Sequence, residues 1–320
     1  MQHILITGGA GFIGSTLGDQ LIAEGHQVTA IDNFDPFYDE SIKRNNIAGL
    51  LEHPNFQFLE VDICNMEMLI AHLKDDYDVI VHIAAKAGVH ASIQNPIGCQ
   101  QANVMGTQHM LEIAKIKKIP QFVFASSSSV YGVNPDVPWV ESDQNMMPIS
   151  PYASSKLSCE LLGHVYTNLY GIRFIALRFF TVYGPRQRPD LAIYKFAKMI
   201  LNKQPVPMYG DGSTRRDYTY IGDILKGVRA AIDYKKTDYE IINLGNFQTV
   251  SLMEMINTLE DVFETKAIIN QLPMQPGDVP QTYADISKAK RLLGYEPNTT
   301  FREGIVKFRE WMLTTKINKV

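Results

Sequence analysis

MQHILITGGAGFIG, residues 1–14, decides how the chain folds. Ile4, Leu5 and Ile6 form a short apolar run of the kind that makes a buried strand. Thr7 and Gly8 end it. From Phe12 to Glu24 apolar residues return at helical spacing, with Phe12, Ile13, Leu17, Leu21 and Ile22 on one stripe. Between strand and helix lies Gly8-x-x-Gly11-x-x-Gly14. Gly8 makes the tight turn, Gly11 leaves room for a phosphate beside the backbone, and Gly14 lets the helix pack on the strand. The free amides of the helix start, at Phe12 and Ile13, then face the pyrophosphate of a dinucleotide.

A glycine triplet alone is weak evidence, and its context supplies the rest. A second apolar strand, residues 27–31, ends in Asp32, about twenty residues past the loop, where an acid can take the adenosine ribose hydroxyls. A carboxylate there repels a 2′-phosphate, so NAD is favoured over NADP. Asn33, not an arginine, follows it, and Arg44 lies further along in a polar, weakly helical stretch over 39–52.

Working outward, residues 56–61 (FQFLEV) alternate as a strand and close in Asp62-Ile63. Two roles stand open for Asp62: a partner for the adenine amino group, or the N-cap of a helix over 65–73. Residues 78–83 (DVIVHI) make a fourth buried strand, and Ala84-Ala85-Lys86 at its carboxyl end leave room for a cofactor. A helix is expected over 96–117, with Asn103 inside it bonding to neighbouring backbone. Residues 121–125 and 171–177 read as strands five and six, with a helix over 152–170 between them. Such alternation argues a doubly wound parallel sheet covered on both faces, a Rossmann α/β fold. From Thr181 the loops lengthen and gain Pro and Gly. We therefore expect a cofactor domain over 1–180 and a smaller C-terminal α/β substrate domain over 181–320. Residues 240–244 (EIINL) are able to return to the main sheet, which makes that boundary soft.

The chain has 320 residues, 45% hydrophobic and 20% charged, with net charge −4, an ordinary globular composition with no basic excess for a nucleic acid. Cys64, Cys99 and Cys159 lack the paired spacing of a disulfide framework or zinc site, which points to a reduced, cytoplasmic setting and no metal. No apolar run approaches the length of a membrane span, and there is no signal-peptide pattern.

The chemistry starts where the fifth strand runs into Ser126-Ser127-Ser128-Ser129. A serine run at a strand's carboxyl end lies on the ligand side of a parallel sheet. Further on, Tyr152 and Lys156 stand four apart and share a helix face. A phenol ionises near pH 10, too high for a general base, and a nearby ammonium and a positive nicotinamide ring would lower it. Tyr152 then reads as acid/base, Lys156 as its tuner and Ser127 as the hydroxyl that positions the substrate alcohol, with Ser128 beside it as a further substrate contact. Alone, such a Tyr–Lys pair would be an ordinary helix-surface pair; the glycine loop and the serine strand end give it meaning.

ITGGAGFIG, HIAAKAG, ASSSSVYG, SPYASSK, LRFFTVYGPRQRPD and RRDYTYIGDI, in that order, resemble the extended short-chain dehydrogenase/reductase family, and within it the nucleotide-sugar 4-epimerases. The resemblance implies tightly held NAD, a UDP-sugar substrate and a homodimer joined through a four-helix bundle. It implies that Ser127, Tyr152 and Lys156 are the catalytic trio. Dehydratases and decarboxylases of the family carry an acid beside the strand-end hydroxyl, and Ser128, Ser129 and Val130 supply none. The form FFTVYGPxxRPD resembles the UDP-glucuronate epimerases. A C6 carboxylate calls for a bidentate cation and a hydroxyl donor, and Arg188 and Thr181 are the candidates, with Arg186 in reserve. Arg216 resembles the diphosphate clamp and Asp278 the uridine-ribose acceptor. His90 and Gln275 stand where relatives often carry arginine. A neutral UDP-hexose or N-acetylhexosamine substrate, and a non-catalytic NAD-sensing module, are the competing readings.

Overall fold

A computed structural model describes residues 1–274 and 279–315. Seven strands form the central sheet: β1 (His3–Thr7), β2 (Gln27–Asp32), β3 (Phe56–Glu60), β4 (Val79–His82), β5 (Gln121–Ser127), β6 (Arg173–Phe179) and, after four short strands elsewhere, β11 (Tyr239–Leu244). Their order is β11-β6-β5-β4-β1-β2-β3, and every pairing is parallel. Ile4 of β1 stands between Val28 and Val79. The chain leaves β1 for β2 on one side and reaches β4 on the other, so the order reverses beside β1. Ligands of such sheets bind at that reversal, outside the carboxyl ends of the strands.

Alternation along the strands builds two cores. Ile4, Ile6, Val28 and Ala30 face Leu17 of α1 (Phe12–Ala23) and Ile224 and Val228 of α9 (Ile221–Asp233). Leu5, Ile31, Ile80, Phe122 and Phe124 face the opposite helices, α3 (Met66–His72), α6 (Gly106–Ile116) and α7 (Pro151–Tyr170). Apolar runs with both faces buried are what a covered parallel sheet requires. Full burial of one such side chain contributes about 1.5–3 kcal/mol.

A third core joins α8 (Ala192–Leu201), α10 (Leu252–Phe263), α12 (Phe301–Thr314) and β8 (Pro205–Tyr209). The remaining short strands pair off. β7 (Thr181–Tyr183) lies parallel to β10 (Tyr218–Tyr220), β9 (Arg215–Arg216) antiparallel to β12 (Val250–Ser251), and β8 parallel to β13 (Ile268–Leu272). α11 (Ser287–Leu293) packs near β11.

Three local readings change. The single helix expected over 96–117 is three pieces: α5 (Pro96–Gln100), a π-turn over Gln101–Met105, and α6, with α4 (Val89–Gln94) before them. Asn103 sits in the π-turn and its side chain bonds to Lys86, described below. Asp62 does not cap α3; Asn65 does, its Oδ1 accepting from Met68 N at 3.1 Å. The weak helix after β2 is α2 (Glu40–Ile47), followed by a 3-10 turn at Leu50–Glu52.

Candidate active site

Gly8 has φ +69°, and a Cβ on it would lie 2.8 Å from Ala84 N, so β1 can turn there and still touch the end of β4. A Cβ on Gly14 would lie 2.2 Å from Gly8 O, which fixes how closely α1 packs on the turn. The α1 N-cap, Gly11, offers no side-chain cap to the first-turn amides. Those amides remain available to an anion. Beneath the loop, Thr7 Oγ1 accepts from Ile83 N and Ala84 N, both at 3.1 Å, and meets His82 Nδ1 at 2.7 Å. His82 Nε2 reaches Thr107 Oγ1 at 3.0 Å. Complete burial drops the His82 imidazole to about 3, so it is neutral and ties the end of β1 to α6 as a hydrogen-bond post.

A cavity of about 990 Å³ opens over these strand ends. Gly8, Gly11, Phe12, Ile13, Asp32, Asn33, Asp62, Ile63, Ala84, Ala85 and Lys86 line it. So do Ser127, Tyr152, Lys156, Thr181 and Arg188. The glycine turn with uncapped amides, an acid at the end of β2 and small residues at the end of β4 suit a dinucleotide. Asp32 is already braced: its Oδ1 accepts from Phe34 N at 2.9 Å and from buried Lys43 Nζ at 3.4 Å. Asn33 Nδ2 donates to Asp62 Oδ2 at 2.9 Å, tying the second and third strand ends together. Lys86 pairs with Asp35 at 3.1 Å.

At the other end, Ser150 caps α7, its Oγ accepting from Ala153 N at 3.1 Å, with Pro151 at the first helical position. That start presents Tyr152 in the first turn. Ser127 Oγ accepts from Ser129 N at 3.2 Å and from the Ser129 hydroxyl at 2.9 Å, and its proximity to the Tyr152 phenol favours the ionised phenol. Lys156 Nζ donates to Ala125 O at 2.7 Å and stands 5.9 Å from the centre of the Tyr152 ring. Burial lowers Lys156 to about 8, against the charges of Cys159, Cys99 and Glu160. Burial also raises Tyr152, and Ser127 and the Arg188 charge offset only part of that. Lys156 Nζ is held on β5 beneath the Tyr152 ring, and Arg188 is a second cation whose field reaches the phenol.

Thr181 begins β7 on the cavity wall. Arg188 Nε and Nη2 donate to Asp190 at 3.0 and 2.8 Å, Nη2 also reaches Ala87 O at 3.2 Å, and Phe37 lies under the guanidinium at 5.4 Å. Arg186 is elsewhere engaged, with Asp19 at 2.6 Å. Among the described residues, the carboxylates lining the cavity are Asp32 and Asp35, at and after the end of β2, and Asp62, after β3.

The family model described as GDP-mannose 4,6 dehydratase matches residues 5–308. The chain belongs to the extended short-chain dehydrogenase/reductase family. It is 40% identical over 315 residues to a UDP-glucuronate 4-epimerase of Thermodesulfobacterium geofontis, covering 97% of this chain and 96% of that one. Its fold matches the UDP-glucuronic acid 4-epimerase of Bacillus cereus, solved with UDP-glucuronic acid and NAD, at TM-score 0.90 and 39% identity, over 97% and 98% of the two chains. The UDP-glucose 4-epimerase of Thermotoga maritima, solved with UDP-glucose, follows at TM-score 0.87 and 30% identity, over 97% and 98%.

As a member of this family, the chain brings most of the expected site residues together and leaves three aside. Gly14 lies behind the turn and does not line the cavity. Ser128 opens a 3-10 turn over Ser128–Tyr131, and Arg216 sits on β9 with Nη1 donating to Arg215 O at 2.9 Å; neither lines the cavity. Asp278 and Gln275 lie outside the described residues. Among the described residues there is no cluster of metal-ligating side chains, and no helix long and apolar enough to cross a membrane.

The expected backbone bonds of Asn103 are present, and sequence reasoning missed other supports. Asn103 Oδ1 accepts from Lys86 N at 2.8 Å, while Nδ2 donates to Lys86 O at 3.2 Å and Ser155 Oγ at 2.9 Å, locking the loop after β4 to α7. Glu160 and Arg178, both fully buried, pair at 2.8 and 2.9 Å, and Ser126 Oγ donates to Glu160 Oε1 at 2.5 Å. The signal for that pair was on the page: an arginine inside the apolar run of β6, and a glutamate one turn past Lys156. Asp190, one residue beyond Pro189, was signalled only by its spacing from Arg188.

Proposed function

We propose that this protein is an NAD-dependent 4-epimerase of a UDP-sugar and that it converts UDP-glucuronate to UDP-galacturonate. The observation that carries the reading is one cavity with a dinucleotide loop and Asp32 at one end and Ser127, Tyr152 and Lys156 at the other. NAD, when bound, is the hydride acceptor and donor for the sugar carbon. The chain's residues do the rest. Tyr152 takes the proton of the 4-hydroxyl and later returns it. Ser127 supports the phenolate as a hydrogen-bond donor, which its two accepted bonds leave its own proton free to do. Lys156, anchored on Ala125 O, sets the charge below the ring. The planar 4-keto sugar turns over about its diphosphate link before reduction on its other face. A firm hold on UDP with a loose hold on the sugar permits this, and Arg216 and Asp278 are our candidates for the former. Dehydration and decarboxylation are disfavoured because, among the described residues, the cavity's carboxylates lie at the ends of β2 and β3 and none stands beside Ser127.

Thr181 and Arg188 are our candidates for the C6 carboxylate, a reading supported by their place on the cavity wall beside Tyr152. Residues 1–180 with β11 form the cofactor part, and most of 181–320 the sugar part. Exposed Ile93, Ile97, Leu161, Val165 and Leu169 on α4, α5 and α7 support a homodimer through these helices. Three free cysteines support a reduced, cytoplasmic setting.

The test is incubation of purified protein with UDP-glucuronate, UDP-glucose or UDP-N-acetylglucosamine, with products resolved by anion exchange and NMR. UDP-galacturonate from the first alone supports the proposal. Conversion of a neutral sugar instead keeps the epimerase and discards the carboxylate site, and a pentose product means decarboxylation. Light scattering giving twice the chain mass of 36.1 kDa supports the dimer.

A further inference from the structure

Arg188 does not wait for a carboxylate; it already holds one. Its Nε donates to Asp190 Oδ1 at 3.0 Å and its Nη2 to Asp190 Oδ2 at 2.8 Å, the two-pronged arrangement by which arginine reads any carboxylate. The pair is partly withdrawn from water, with the Arg188 side chain 18% exposed and that of Asp190 35%. Only Pro189 lies between them, so the geometry is preformed at little cost in chain entropy. The guanidinium is also fixed by Ala87 O at 3.2 Å and by Phe37 at 5.4 Å, and it lines the cavity that holds Tyr152.

We infer that Asp190 is a specificity-determining residue, an internal carboxylate that occupies the Arg188 fork and is exchanged for the carboxylate of an acidic sugar ligand. This rests on the proposed UDP-uronate reading. A half-buried guanidinium with no counter-charge is costly, so Asp190 neutralises it while the fork is not on a ligand. A ligand carboxylate gains the fork only by displacing Asp190. The net electrostatic gain is then the difference between two similar pairs, not the full value of one. A neutral hexose has nothing to exchange and leaves the Arg188–Asp190 pair intact. Asp190 therefore sets how strongly the site distinguishes acidic from neutral sugars, without itself touching the reacting carbon. Two phenols feel the fork's field, Tyr38 that of both Asp190 and Arg188 and Tyr152 that of Arg188, and burial raises both so that they add no charge.

The test is ligand binding by calorimetry to NAD-loaded protein in a Tyr152→Phe background, where turnover does not confuse affinity. Adding Asp190→Asn keeps an oxygen acceptor for the fork and removes the competing charge. UDP-glucuronate should bind roughly five-fold tighter, from the worth of a partly exposed ion pair, while UDP-glucose changes less than two-fold. Asp190→Glu, which keeps the charge, should stay close to the parent for both ligands. Weaker UDP-glucuronate binding in Asp190→Asn, or parallel shifts for both ligands, would overturn the inference, because Asp190 would then only orient the loop. A parent protein that binds neither UDP-sugar overturns the underlying reading itself. Unchanged thermal unfolding and NAD content keep the comparison free of folding effects.

Discussion

The Glu160–Arg178 pair offers the sharpest energetic test of how the site is held. Both side chains are fully buried, and the two bonds of 2.8 and 2.9 Å join α7, four residues past Lys156, to β6. Ser126, next to Ser127, donates to the same carboxylate. Glu160→Gln keeps the shape and removes one charge, leaving a buried guanidinium uncompensated. That loss costs about 3–5 kcal/mol. Replacing both partners, Glu160→Leu with Arg178→Met, removes the orphan charge and should recover all but about 2 kcal/mol. Urea unfolding of the parent, Glu160→Leu, Arg178→Met and the double variant forms a double-mutant cycle with a coupling energy of about 2 kcal/mol or more. A second readout separates positioning from bulk stability. The Glu160 charge opposes the fall of Lys156 to about 8, so Glu160→Gln should move the alkaline limb of kcat to lower pH. A cost below about 1 kcal/mol, or single costs that simply add, would refute the reasoning.

Two further outcomes follow from the cofactor loop. Gly11→Ala places a Cβ 3.2 Å from Gly8 O alone and at φ −75°, so thermal stability should change little while copurified NAD is lost; Gly14→Ala, 2.2 Å from the same oxygen, should cost about 1–3 kcal/mol as well. For His82, the folded imidazole titrates near 3 against 6.5 unfolded, so between those values the unfolded chain binds the extra proton and stability falls as pH falls. The slope reaches about 1.4 kcal/mol per pH unit, and His82→Asn should flatten it by about one proton in urea titrations at pH 4 to 6.

The sheet and the glycine loop were legible because they rest on short-range rules. Ile4-Leu5-Ile6 is apolar on both faces, as a central parallel strand must be, and Gly8 to Gly14 bring strand and helix into contact at spacings that side chains would block. Tyr152 and Lys156 were found by helical spacing, and their meeting with Ser127 follows from strand order. What was not legible depends on pairing across distance. The π-turn at Gln101–Met105 carries Asn103, which grips Lys86 seventeen residues away in sequence. Lys156 Nζ bonds to Ala125 O, a contact across thirty-one residues that helical spacing does not reveal. Arg188 was found as a cation, but its partner Asp190 had no periodic signal to reveal it.

The most direct test of the central claim is turnover of UDP-glucuronate by Tyr152→Phe, measured beside its NAD content. We predict that NAD is retained and epimerisation falls by about 10³-fold or more, the scale of a lost general acid–base group. A variant that keeps both NAD and its rate would contradict the assignment of Tyr152 and the mechanism built on it.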